Sequence, residues 1–162
     1  MLIQLMIRFF YKIRNIIKMS IYRSAFSHNA KIGNTFIRNN FYLRVSKEGK
    51  LSIGQGCFFN NGCSIVALKY ISIGDNCIFG ENVKIYDHNH VFSHKNILIK
   101  KQGFKCKGIE IGNNVWCGTN VVILAGARIG NNCVIGAGCV VKGNIPDDTI
   151  YTINSIHKIQ YK

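Results

Sequence analysis

The sequence predicts an all-β solenoid behind one N-terminal helix, and three observations carry that prediction. Between Ile111 and Val141 a branched apolar residue or a cysteine recurs at every sixth position (Ile111, Cys117, Ile123, Ile129, Ile135, Val141), and a glycine follows four of the six. Four residues after each repeat start stands a second small or branched residue: Val115, Val121, Ala127, Cys133, Cys139. The first 22 residues lack this period and mix apolar residues with cations instead. Alternation over a few residues, broken by Gly or by Asn113-Asn114 and Asn131-Asn132, describes short half-buried strands joined by turns that accept positive φ. A six-residue unit cannot bury a face alone, so its apolar residue must stack on the same residue of the next coil.

Residues 1–22 come first. Leu2, Ile3, Leu5, Met6, Ile7, Phe9, Phe10, Ile13, Ile16 and Ile17 are interrupted by Arg8, Lys12, Arg14 and Lys18, so no uncharged run approaches the roughly 20 residues that span a bilayer. Charges inside the apolar stretch also argue against a secretory leader. The segment is expected to form a basic amphipathic helix. It has two candidate partners of equal standing: an anionic membrane surface, for residues 1–19, or the solenoid end or a neighbouring subunit.

The solenoid is expected over 23–148. Ile32-Gly33 is a first repeat start, but Ile53 follows 21 residues later, three more than an 18-residue coil allows, so the first coil should be irregular or act as a cap. From Ile53 the sets Ile53, Phe59, Ile65 and Ile73, Phe79, Ile85 are offset by 20, which places a two-residue insertion near Leu68 to Tyr70. Between Ile73 and Ile111 lie 38 residues. One coil accounts for 18, leaving about 20 residues to project as a loop within 86–110, rich in His88, His90, His94 and lysines. Pro146, the single proline, is expected to end the solenoid, with 149–162 as a tail.

Lys and Arg number 21 against 7 Asp and Glu, a net charge of +14 that favours an anionic partner such as an acidic membrane, a phosphorylated cofactor or an acidic glycan; charge alone does not choose among these and nucleic acid. Six of the seven cysteines fall on repeat positions, so they read as buried free thiols, as in a cytoplasmic protein. Only Cys106 lies outside the pattern.

The segment IGNNVWCGTNVVILAGARIGNNCVIGAGCVVKGNIP resembles the hexapeptide-repeat acyltransferases, in particular the sugar and polysaccharide O-acetyltransferases. The resemblance implies a left-handed parallel β-helix with triangular coils, a homotrimer, and acetyl-CoA as cosubstrate without a metal. It implies a histidine base at the mouth of the loop, which maps to His88, with His90 as rival. It further implies that Trp116, Gly118, Thr119, Ala137, Lys142 and Gly143 contact the cofactor, and that Asn60, Asn61 and Asp87 lie near the acceptor. Lys142-Gly143 stands where many relatives have Thr-Lys. The reaction so implied is direct acetyl transfer to a sugar hydroxyl of a bacterial surface polysaccharide or its precursor, with no nucleic-acid partner. Asn60 and Asn61 also suit a tight turn for local reasons. The alternatives are a nucleotide-sugar N-acetyltransferase, an enzyme like the serine O-acetyltransferases, a zinc site built on His88, His90 and His94 with Cys106, or a noncatalytic docking solenoid. Retention of His88, Trp116 and the long loop favours the enzyme over the last of these.

Overall fold

The computed structural model describes residues 2–160. One helix, Leu2–Ala25 (α1), precedes a parallel β-solenoid of five full three-sided coils and a partial sixth. In chain order within a coil, the strands form face 1 (six strands), face 2 (six parallel strands and one antiparallel at the end) and face 3 (five strands).

The register follows the six-residue repeat. Ile53 pairs with Ile73, Ile73 with Ile111, and Ile111 with Ile129, giving face 1 an isoleucine column. Face 2 stacks Ile37, Phe59, Phe79, Cys117 and Ile135, with the Phe59 and Phe79 rings parallel at 4.4 Å. Face 3 stacks Leu43, Ile65, Ile85, Ile123 and Val141. These columns are buried and each Ile side chain contributes about 1.5–3 kcal/mol of burial free energy. At the corners the residue before the inward small side chain is left-handed, and it is Asn or Gly almost throughout: Asn76 before Cys77, Asn114 before Val115, Asn132 before Cys133, Gly138 before Cys139. Side-chain carbonyl or carboxylate oxygens tie successive coils at the corner between faces 1 and 2, where Asp75, Asn113, Asn131 and Asp147 each accept from the backbone N–H of the coil before.

The coils vary in length almost entirely at one corner, between faces 3 and 1. The inner residues there are ten apart from Leu43 to Ile53, eight from Ile65 to Ile73, twenty-six from Ile85 to Ile111, six from Ile123 to Ile129 and four from Val141 to Ile145. The excess in coil 1 is therefore a wider turn at Ser46–Gly49, offset by one residue lost between Ile32 and Ile37. Pro146 does not end the solenoid: Thr149–Tyr151 pairs in parallel with face 2, and Ile156–Lys158 folds back on it antiparallel. Pro146 sits on an exposed corner where it displaces no ladder hydrogen bond, so the expected tail begins as a strand.

The outward residues distinguish the faces. Face 1 presents Ser52, Ser72, Glu110, Arg128 and Asn144, all polar. Face 2 presents Phe36, Phe58, Ile78, Trp116, Val134 and Ile150, an apolar ladder along the whole solenoid in which Ile78 and Trp116 are half exposed.

α1 covers the open edge of coil 1 with its polar side. The Asn15 amide donates to the Thr35 carbonyl and accepts from the Ile37 N–H, Tyr22 donates to the Phe41 carbonyl, Arg23 donates to the carbonyls of Ile32 and Gly33, and Arg14 meets Asn39. An edge coil leaves backbone groups unpaired, and these contacts satisfy them. Among the described residues no helix is long and apolar enough to cross a membrane.

Candidate active site at the loop corner

Where coil 3 should turn from face 3 to face 1, the chain leaves as a hairpin. His88–His90 pairs antiparallel with Phe104–Cys106, in the register His88 to Cys106 and His90 to Phe104. The base is closed by the Lys107 N–H donating to the Asp87 carbonyl, and the tip by Gln102, whose amide binds the backbone of His94 and Ile97.

Asp87 anchors this hairpin. It is fully buried, and its carboxylate accepts from three consecutive backbone N–H groups, Leu68 at 2.9 Å and Lys69 and Tyr70 at 2.7 Å each. Those donors lie in the turn that the two-residue insertion widens and at the start of the strand Tyr70–Ile73, where their N–H groups converge. Asp87 was expected near the acceptor. Here its carboxylate is buried and taken up by these backbone donors.

The fixed carboxylate faces His88, with Asp87 Oδ1 3.3 Å from His88 Nδ1. The His88 side chain is 18% exposed, held between Tyr86 at 6.1 Å and the edge-on ring of Phe104 at 5.2 Å. A proton on Nδ1 directed at Asp87 leaves Nε2 as the acceptor nitrogen. His90 is exposed and also packs on Phe104, its ring centroid 4.5 Å away. Tyr86 ends the face-3 strand Lys84–Tyr86 at an outward position that the repeat does not constrain, and the antiparallel pairing that brings Phe104 to His88 is not visible in a hexapeptide count.

Beside the hairpin lies a cleft of about 690 Å³, lined by His90, Lys105, Lys107, Leu124, Lys142 and Gly143 among others. Its lining carries three lysines, Lys105, Lys107 and Lys142, and no acid. Gly126, at φ +87, forms its floor, and a Cβ there would meet the Lys107 side chain at 2.5 Å, so glycine is what lets Lys107 lie across it. A Cβ on Gly143 would meet nothing.

The expected site residues divide among three places. His88, His90, Lys142 and Gly143 share the loop corner. Gly118, Thr119 and Ala137 lie at the next corner, between faces 2 and 3, where Gly118 stacks so tightly that a Cβ would stand 2.7 Å from the Ala137 nitrogen. Asn60 and Asn61 occupy the same corner two coils earlier, and Asn61 is engaged with Asn39 and Glu81. Trp116 stands on face 2, 54% exposed. Within one chain neither Trp116 nor the Asn60-Asn61 turn reaches the corner that carries His88.

His94 lies at the hairpin tip, and among the described residues no group of three or more His, Cys, Asp or Glu is placed to hold a metal ion. Cys106 is half-buried, and burial, then the Asp87 charge, push its thiol up, which disfavours a thiolate nucleophile. The other six cysteines are free and buried in the core columns and corners.

Residues 108–143 match the family model described as bacterial transferase hexapeptide (six repeats), and residues 70–85 match the hexapeptide repeat of succinyl-transferase. A galactoside O-acetyltransferase of Lactococcus lactis is 34% identical over 134 residues, 82% of this chain and 62% of that one. A maltose O-acetyltransferase structure from Clostridium difficile superposes with a TM-score of 0.63 at 30% identity, covering 80% of this chain and 70% of that one. A galactoside acetyltransferase solved with coenzyme A gives a TM-score of 0.61 at 31% identity, covering 79% and 64%. The chain spans between 51% and 62% of the length of three curated relatives that it matches.

Proposed function

This chain belongs to the hexapeptide-repeat acetyltransferases, and on that premise we propose that it transfers an acetyl group from acetyl-CoA to a sugar hydroxyl, of a bacterial surface glycan or its precursor. The observation that carries the reading is the Asp87–His88 pair at the root of the hairpin, a buried carboxylate fixed by three backbone donors and facing an accessible imidazole.

In this reading His88 Nε2 takes the proton of the acceptor hydroxyl as its oxygen attacks the thioester carbonyl. The tetrahedral intermediate collapses by breaking the C–S bond, and the departing thiolate recovers the proton from the imidazolium. Asp87 holds Nδ1 and steadies the positive charge. The lysines of the cleft, Lys105, Lys107 and Lys142, suit the phosphates of coenzyme A, and in an assembly of chains the Gly118 and Ala137 corner of a neighbouring chain offers a backbone surface on which a slender pantetheine arm can lie. The split of the site residues supports a homotrimer, in which His88 of one chain faces the Trp116 region of the next. The apolar ladder of face 2 supports the same packing. The same proposal sets the enzyme against the bilayer on the side where acetyl-CoA is made, through residues 1–19.

The test is acetyl-CoA consumption against a panel of sugars, nucleotide sugars and glycan fragments, run beside His88→Ala. Acceptor-dependent release of free thiol that His88→Ala abolishes is the expected result. Absence of any acceptor-dependent release, or release indifferent to His88, sinks the proposal.

A further inference from the structure

α1 docks the wrong way round for an amphipathic helix. Its contacts with the solenoid come from Arg14, Asn15, Met19, Tyr22 and Arg23, and of these only Met19 is a buried apolar side chain. The cause lies in what it covers: the edge of coil 1 offers backbone donors and acceptors, and only polar side chains can answer them. At 100° per residue the opposite side gathers Phe9, Phe10, Ile13, Ile16, Ile17 and Ile21, which are 38% to 65% exposed, and continues through Leu2, Leu5 and Met6. A contiguous apolar arc of this length left to water marks a binding surface.

We infer that this arc is seated in an anionic lipid surface, with α1 lying in the plane of the interface. Charge decides the occupant. α1 contains no Asp or Glu; Arg14 and Arg23 are engaged by the solenoid, and Lys12 borders the apolar arc on one side and Lys18 on the other. A second copy of the helix would oppose cations to cations. Lipid phosphates accept them on both borders, and each is worth about 1 kcal/mol near such a surface. The interruptions by charge that prevent α1 from spanning are those an in-plane helix uses. Because α1 is rigidly bonded to coil 1, seating it fixes the solenoid to the surface by one end. An acceptor glycan carried on a lipid is thereby held within reach, whereas a free sugar gains nothing.

The inference rests on the peripheral-contact part of the proposed function, and vesicle binding is measured apart from acetyl transfer, so either can fail alone. The full chain is floated with vesicles of phosphatidylcholine and with vesicles of phosphatidylcholine mixed with phosphatidylglycerol. Binding to the mixed vesicles should exceed binding to the neutral ones by roughly tenfold and fall as salt rises. Phe9→Glu and Ile13→Glu should each reduce it by roughly tenfold or more. Both residues are exposed, so the unfolding midpoint and turnover on a water-soluble acceptor should not move. Failure of the chain to bind mixed vesicles overturns the inference. So does dissociation of oligomers by Phe9→Glu without loss of vesicle binding, which would assign the arc to a second copy.

Discussion

Asp87 and His88 are adjacent in sequence, yet the carboxylate is placed by residues 17 to 19 positions earlier. The inserted pair near Leu68 is visible in the sequence as an offset of 20 between repeats; that it makes a three-donor pocket for a carboxylate is not, because only folding stacks coil 2 on coil 3. Asp87→Asn should therefore act twice. An amide NH2 replaces one carboxylate oxygen and opposes the backbone N–H groups which that oxygen served, Lys69 and Tyr70 at Oδ2 or Leu68 at Oδ1, which should lower unfolding free energy by about 1–3 kcal/mol in a denaturant titration. It should also lower kcat by roughly tenfold or more while KM for acetyl-CoA holds, as expected of a residue that acts through His88. An unchanged kcat would remove Asp87 from the mechanism. His88→Ala should lower turnover by roughly two to four orders of magnitude with acetyl-CoA binding intact, and His90→Ala much less. The cysteines make a separate claim. Six are at most 2% exposed and Cys106 is half-buried with its thiol pushed up. A thiol reagent near neutral pH should modify Cys106 alone and slowly in the native chain, all seven after unfolding; fast modification of a second cysteine would contradict the packing.

At the scale of elements, the sequence and the fold agree wherever a residue repeats its environment. Ile53, Phe59 and Ile65 predict the columns of their neighbours because each coil solves the same burial problem. At the corner between faces 3 and 1 the broken period locates the insertions but not their shape, and the hairpin, the Phe104 contact and the three-lysine cleft all arise there. α1 is an intermediate case. Its amphipathic pattern was legible, but the side that meets the solenoid was not, since an apolar stripe ordinarily faces inward. Phe104 links hairpin to site, packing against both histidines. Phe104→Ala should free the His88 ring and lower kcat, with the unfolding midpoint little changed because Phe104 is half exposed. Full activity in that variant would show that the ring needs no such support.

For the whole molecule, the decisive fact is separation. A triangular solenoid points its three corners away from one another, so His88 at one corner and Trp116 on face 2 are divided by the core of their own chain. Only a second chain can bring such residues together, and face 2 with its ladder from Phe36 to Ile150 is the apolar surface available for it. If each site in the proposed trimer takes His88 from one chain and Trp116 from the next, two inactive variants must repair each other. His88→Ala and Trp116→Ala should each be inactive alone. Refolded together in equal amounts, a random trimer should pair an intact histidine with an intact tryptophan at about a quarter of its interfaces, restoring about that share of wild-type activity. Light scattering should report three chains for each variant and for the mixture. A mixture as inactive as its parents, or a monomer at working concentration, would place the whole site within one chain, where the fold keeps His88 and Trp116 apart.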